Sequence, residues 1–263
     1  MPQDSQRPLI LVTNDDGVTA PGIRNLVESV ADLGDVVVVA PDSHQSGMGH
    51  AITISNILRM SPHDFGMPGV QAYKTTGTPV DCVKLAIYKI LDRKPDVLVS
   101  GINHGSNASI NVIYSGTMSA AVEGALEGIP SVGFSLCDFA EDADFSASRN
   151  VARTVTQKVL KHGTPSGTCL NVNIPKVSPK DLRGIKVCRQ GAGHWADSFE
   201  EREAPGGRTY YWMTGNFTDV DKGEDTDEWA LKHGYVSVVP VQYDMTAHHA
   251  MTELNQWDLN GER

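Results

Sequence analysis

Residues 11–23 read LVTNDDGVTAPGI, an apolar run broken by a polar turn and restarted by a proline. With Leu9 and Ile10 ahead of it, the run Leu9–Thr13 has the length and composition of a buried strand. Asn14–Gly17 supplies turn formers. Pro21 suits the first position of a helix, and Ile23, Leu26, Val27, Val30 and Leu33 follow at helical spacing. Gly34 closes that helix. Asp35–Ala40 (DVVVVA) is then apolar on both faces, as a central strand of a parallel sheet must be. Strand, helix and strand in this order make one βα unit.

The same grammar repeats outward. Thr78-Pro-Val-Asp81 predicts a helix start, with a Thr cap, Pro in the first turn and an acid three residues on. Val83, Ala86, Ile87 and Ile90 form its apolar stripe. Asp96–Ser100 (DVLVS) reads as another buried strand, followed by a glycine-containing loop and a small-residue helix over Met118–Glu127. Ser131–Leu136 and Cys169–Ile174 add strands, with a helix near Ala147–Lys161 between them. Alternation of this kind predicts an α/β fold, Rossmann-like, with a mostly parallel sheet flanked by helices. Beyond Gly191 aromatic and polar residues mix, an acidic stretch runs from Asp219 to Glu228, and Tyr235–Val241 reads as a strand. That part is expected to form hairpins and an arm. The chain is read as one domain, 1–263, with its core at about 9–190 and a C-terminal extension at about 191–263.

A chain of 263 residues buries enough apolar surface to fold without disulfide or structural metal. Cys82, Cys137, Cys169 and Cys188 lie far apart with no CxxC spacing, so they read as reduced structural thiols. No signal peptide or membrane span is legible, and a cytoplasmic protein without a membrane partner is expected. The net charge of -10, with no basic cluster, disfavours a nucleic-acid polymer as partner. A small anion is compatible with that charge only if its site supplies local positive potential from a metal ion or from oriented backbone amides.

Ligands of open parallel sheets bind outside the carboxyl ends of the strands. The loops leaving the predicted strands hold Asn14-Asp15-Asp16-Gly17, then Asp42–Gly47 with Ser46, then Gly101–Asn107 with Asn103 and Asn107, then Ser115-Gly116-Thr117 before a helix. Adjacent carboxylates repel unless a cation offsets them, and oxygen ligands select a hard ion such as Mg²⁺ or Mn²⁺. Hydroxyls and free amides at a helix N-terminus suit a phosphate. Taken singly, each motif also fits a plain turn or cap. No GxGxxG follows the first strand, and no P-loop, GxSxG or HExxH motif occurs. His248-His249 reads as surface.

Five ordered stretches, LVTNDDGVTAPGI, VVVVAPDSHQSG, TTGTPVDCVKLA, PDVLVSGINHGSN and YSGTMSAAVEGALEGIPSVGFS, resemble the SurE family of stationary-phase survival proteins, metal-dependent 5′/3′-nucleotidases. LNVNIP and HGYVSVVPVQYDMTAH extend the resemblance to about His248. The resemblance implies one divalent ion per subunit, held by Asp15, Asp16, Ser46 and Asn103, with Asp15 and Asp16 catalytic. It implies phosphate binding by Asn107, Ser115, Gly116 and Thr117. It also implies a nucleoside 5′- or 3′-monophosphate as the small-molecule substrate, and a homodimer or homotetramer assembled through the C-terminal extension. His44-Gln45 depart from the family, many of whose members carry a basic residue there. A non-catalytic nucleotide sensor is the competing expectation.

Overall fold

The computed structural model describes residues 7–257 and 259. In chain order the first half runs β1 (Leu9–Thr13), α1 (Pro21–Val30), β2 (Asp35–Pro41), β3 (Met60–Pro62), β4 (Gln71–Thr75), α2 (Pro79–Leu85), β5 (Val97–His104), α3 (Asn111–Tyr114) and α4 (Gly116–Leu126). The second half runs β6 (Ser131–Leu136), α5 (Ser146–His162), β7 (Thr168–Ile174), β8 (Ile185–Val187), β9 (His194–Ala204), β10 (Arg208–Thr218), α6 (Asp227–Lys232), β11 (Val236–Gln242) and α7 (His248–Leu254). A π-helical turn, Ala86–Ile90, continues α2.

The main sheet has the order β3-β4-β2-β1-β5-β6-β7-β11-β8, and its neighbours from β4 to β7 pair in parallel. Strand alternation divides the core into two layers. Ile10, Val12, Val36, Val38, Val97 and Val99 pack with α1 and α5, whereas Leu11, Val37, Val39 and Leu98 pack with α2 and α4. Helices thus cover both faces, which is why the central strands carry no polar face. The chain moves outward from β1 through β2 to β4, then resumes on the other side of β1 with β5. Between β1 and β5 the winding reverses, and successive crossovers leave a crevice at the carboxyl ends of these two strands.

Local chemistry accounts for most boundaries. Thr78 caps α2 by accepting from the Asp81 amide at 3.2 Å, while Asp81 Oδ2 accepts from the Thr78 amide at 2.9 Å. Helix α4 begins at Gly116, ahead of the expected Met118, because Ser115 Oγ accepts from the Met118 amide at 3.1 Å. Strands β3 and β4 were not anticipated; β3 is exposed throughout and β4 is only partly buried, so neither carries an apolar run. Past Gly191, β9 and β10 form a separate two-stranded hairpin, as expected. The chain then returns to the main sheet, where β11 lies antiparallel to β7 and parallel to β8. All four cysteines are free, and burial pushes the thiols of Cys82, Cys137 and Cys169 up to about 12. Among the described residues no helix is long and apolar enough to cross a membrane.

Candidate active site

Strand β1 delivers Asp15 and Asp16 into the crevice, and β5 delivers Asn103 beside them. The pairing of β5 with β6 slips between Ser100 and Asn103. At the slip Gly101 has φ +122°, and a Cβ there would stand 2.3 Å from the Phe134 carbonyl oxygen. Only glycine fits this approach.

Asp15 is buried, and its Oδ1 accepts from the Thr117 hydroxyl at 2.5 Å. Burial pushes its carboxyl up to about 6; the Thr117 bond opposes that rise and the neighbouring Asp16 adds to it. Helix α4 comes so close that a Cβ on Gly116 would lie 2.7 Å from the Asp15 Cβ. The helix N-terminus therefore abuts the carboxylate directly. Its first-turn amides have no intrahelical partner and favour negative charge in front of them. The Gln45 amide donates to the Asp15 carbonyl at 2.8 Å, which draws the loop carrying Ser46 to the same place.

The Asp16 side chain is about one-tenth exposed. His44 Nδ1 lies 3.3 Å from its Oδ1 and His104 Nδ1 lies 3.8 Å from its Oδ2. Oδ2 is buried and has no hydrogen-bond partner among the described residues. The Asn103 amide donates to the carbonyls of His104 (3.1 Å) and Gly105 (2.9 Å), which leaves its Oδ1 as the side chain's acceptor toward the cavity. Asn107 is fixed on three sides. Its amide N–H donates to Asn173 Oδ1 and its side chain to Ser135 Oγ, both at 2.8 Å, and its carbonyl accepts from Asn171 Nδ2.

These residues open on a cavity of about 580 Å³. Asp15, Ser46, Asn103, Asn107 and Ser115 line it; Asp16 directly follows Asp15 in the chain, and Gly116 and Thr117 directly follow Ser115. Of the expected phosphate-binding hydroxyls, that of Thr117 is fully buried and committed to Asp15, so it orients the carboxylate. Sequence reading did not single out His104, Asn171, Asn173, Asp227 or Glu228. LNVNIP signalled the two asparagines only as part of a motif. Asp227 and Glu228 were noted only as the end of an acidic stretch; Asp227 is fully buried and Glu228 lines the cavity.

The donor set fits a hard cation. A buried carboxylate oxygen without a donor is unfavourable, and Asp16 Oδ2 is such an atom, on a carboxylate that neighbours that of Asp15. No group of three His, Cys, Asp or Glu side chains suited to a metal occurs among the described residues. An ion here would rest on two carboxylates and neutral oxygens, which selects against soft metals.

Known proteins resemble this chain over most of its length. Residues 10–197 match the family described as Survival protein SurE. The chain is 59% identical over 256 residues to the 5′-nucleotidase SurE of Flavobacterium johnsoniae, covering 97% of this chain and 99% of that protein. It is 60% identical over 258 residues to the 5′-nucleotidase SurE of Christiangramia forsetii, covering 98% and 99%. A crystal structure of the SurE protein from Aquifex aeolicus superposes with a TM-score of 0.82 at 40% identity, covering 94% of this chain and 98% of that one.

Proposed function

The chain belongs to the SurE family, and from that premise we propose that it hydrolyses nucleoside monophosphates, at the 5′ and also the 3′ position, to nucleoside and phosphate in the cavity between β1 and β5. One observation carries the reading. The carboxylate of Asp15 is buried against the N-terminus of α4, with the donor-free Oδ2 of Asp16 next in the chain. A cation site and an anion site thereby share one wall.

Asp15, Asp16, Ser46 and Asn103 would hold one Mg²⁺ or Mn²⁺ ion. When bound, the ion supplies Lewis-acid polarisation of the phosphoryl group and offsets its charge. The remaining work falls to the chain. Asn107, immobilised by Asn173 and Ser135, offers the second N–H of its side-chain amide to the phosphoryl oxygens. The amides of Gly116 and Thr117, which begin α4, and the Ser115 hydroxyl face the charge that shifts during transfer. Thr117 holds Asp15 in one orientation through its hydroxyl. Attack by water, with an aspartate accepting the proton, is the route adopted. The rival is in-line attack by an aspartate oxygen to give an aspartyl phosphate. Acid quench of labelled reactions within one turnover separates the two, because only the rival leaves label on the protein.

For assembly, we take the β9–β10 hairpin as the contact of a homodimer or homotetramer, since Phe199, Tyr211, Trp212 and Met213 are all exposed on it. Four free cysteines support a cytoplasmic setting. The decisive assay is phosphate release from nucleoside monophosphates with Mg²⁺ or Mn²⁺, and again with EDTA. Release that EDTA abolishes supports the proposal. No release with either ion would leave a non-catalytic nucleotide binder as the better reading.

A further inference from the structure

We infer that Glu228 is the residue that reads the sugar of the substrate, its carboxylate accepting hydrogen bonds from ribose hydroxyls. The inference rests on the nucleotidase reading of this cavity and adds a specificity determinant to it.

A phosphate fills only a small part of about 580 Å³, a volume in the range of sites that enclose a whole small molecule. Phe139, Trp195, Lys176, Lys232 and Glu228 also line the cavity. Its two cations are already engaged: Lys176 Nζ donates to Asp138 Oδ1 at 2.8 Å, and Lys232 donates to Asp219. The Glu228 carboxylate is different. It accepts no hydrogen bond among the described residues, although the side chain is partly withdrawn from water. Burial, with Asp227 adjacent, holds its pKa above the usual glutamate range. A carboxylate so placed is poorly suited to face a phosphate and well suited to a neutral group rich in O–H donors. A vicinal diol next to a phosphoester is such a group. Acidic side chains meet ribose hydroxyls in the same way in dinucleotide sites.

The position of Glu228 is set from the phosphate side. Asp227 is fully buried, and its carboxylate accepts from the amides of Ser109 (2.8 Å), Gly191 (2.8 Å) and Glu228 itself (2.9 Å). Ser109 follows Asn107 by two residues, so the start of α6 is bolted to the loop that presents Asn107. Thr226 caps the same turn by accepting from the Trp229 amide at 3.1 Å. Asn107 and Glu228 thus hold a fixed separation, as reading one end of a molecule against the other requires.

The test is calorimetric binding in Mg²⁺ or Mn²⁺ of a nucleoside 5′-phosphonate, whose C–P bond is not hydrolysed, against its 2′,3′-dideoxy counterpart. Wild-type protein is expected to prefer the ribose form by roughly 10- to 100-fold, the range for hydrogen bonds to a charged acceptor. In Glu228→Ala that ratio falls toward unity. Glu228→Gln, which keeps one acceptor oxygen, falls between. A purely structural role would lower both affinities together and leave the ratio in place. Equal binding of the two ligands by wild type, or an undiminished ratio in Glu228→Ala, would overturn the inference. Phosphate release from nucleoside monophosphates in the same buffer tests the nucleotidase reading separately, because the binding ratio does not depend on turnover.

Discussion

The Thr117 hydroxyl donates to Asp15 Oδ1 at 2.5 Å across 102 residues of chain. Both groups are buried, so the bond ties the first strand to the N-terminus of α4 inside the site. Thr117→Val keeps the shape and removes the donor. The buried carboxylate then loses its partner, a loss of about 1–3 kcal/mol. We expect a lower melting temperature and kcat/KM reduced roughly 10- to 100-fold, since Asp15 is no longer held in one orientation. Thermal melts and steady-state phosphate release check both.

Asp16→Asn separates function from stability. The substitution removes a charge that has no donor on Oδ2 and that stands next to another carboxylate. Turnover is expected to fall at least about 100-fold through loss of the cation. The melting temperature in EDTA is expected to stay at or above that of the wild type, as happens when a site strained for function is relieved. A marked drop in that melting temperature would show Asp16 to be a structural group.

Metal should also stabilise the protein without substrate. A ligand that binds only the folded chain raises stability by RT ln(1 + [L]/Kd), about 2.7 kcal/mol at 100 times Kd. Addition of Mn²⁺ or Mg²⁺ to EDTA-treated, dialysed protein is expected to raise its melting temperature, and Asp16→Asn to abolish the rise. An equal rise in both proteins would place the ion elsewhere.

Gly116→Ala addresses the close approach of helix and carboxylate. The added methyl would meet the Asp15 side chain, its Cβ at 2.7 Å and its Oδ2 at 3.0 Å. Overpacking of this sort costs typically about 1–3 kcal/mol. We expect the variant to fold with a lowered melting temperature and to lose activity by weakening both metal and phosphate binding, visible as a raised KM for substrate and for the ion.

Asp227→Ala removes an acceptor shared by three amides from three segments. Each buried N–H left without a partner is worth about 1–3 kcal/mol, so the substitution should rank among the most destabilising outside the apolar core. Hydrogen exchange is expected to quicken together at Ser109, Gly191 and Glu228. Quickening at Gly191 alone would show that α6 is not coupled to the Asn107 loop.

The sheet was legible because its central strands are written without polar interruption: LILVT, DVVVVA and DVLVS leave no other way to bury both faces. The site was legible as loops because Asn-Asp-Asp-Gly, Gly-Ile-Asn and Ser-Gly-Thr each follow or precede such an element. What each side chain does there was less so. Ser115 and Thr117 look alike in sequence, yet one caps α4 and the other orients Asp15, a difference decided by a contact far away in the chain. Asp227 and Glu228 end an acidic stretch whose sequence marks no one residue for a role, and only tertiary structure buries the first and turns the second to the cavity. Strand β3 escaped notice because it is an edge strand, which needs few apolar residues, and β4 beside it because it is only partly buried.

The central claim is that neighbouring acids at the end of β1 grip a hard cation in front of the α4 N-terminus. Anomalous diffraction from crystals soaked in Mn²⁺ with inorganic phosphate tests it most directly. The account predicts one strong peak within coordination distance, about 2.0–2.3 Å, of oxygens of Asp15, Asp16, Ser46 and Asn103, with phosphate between that peak and the Ser115 turn. A manganese peak remote from both aspartates, or phosphate bound away from Ser115 and Asn107, would contradict it.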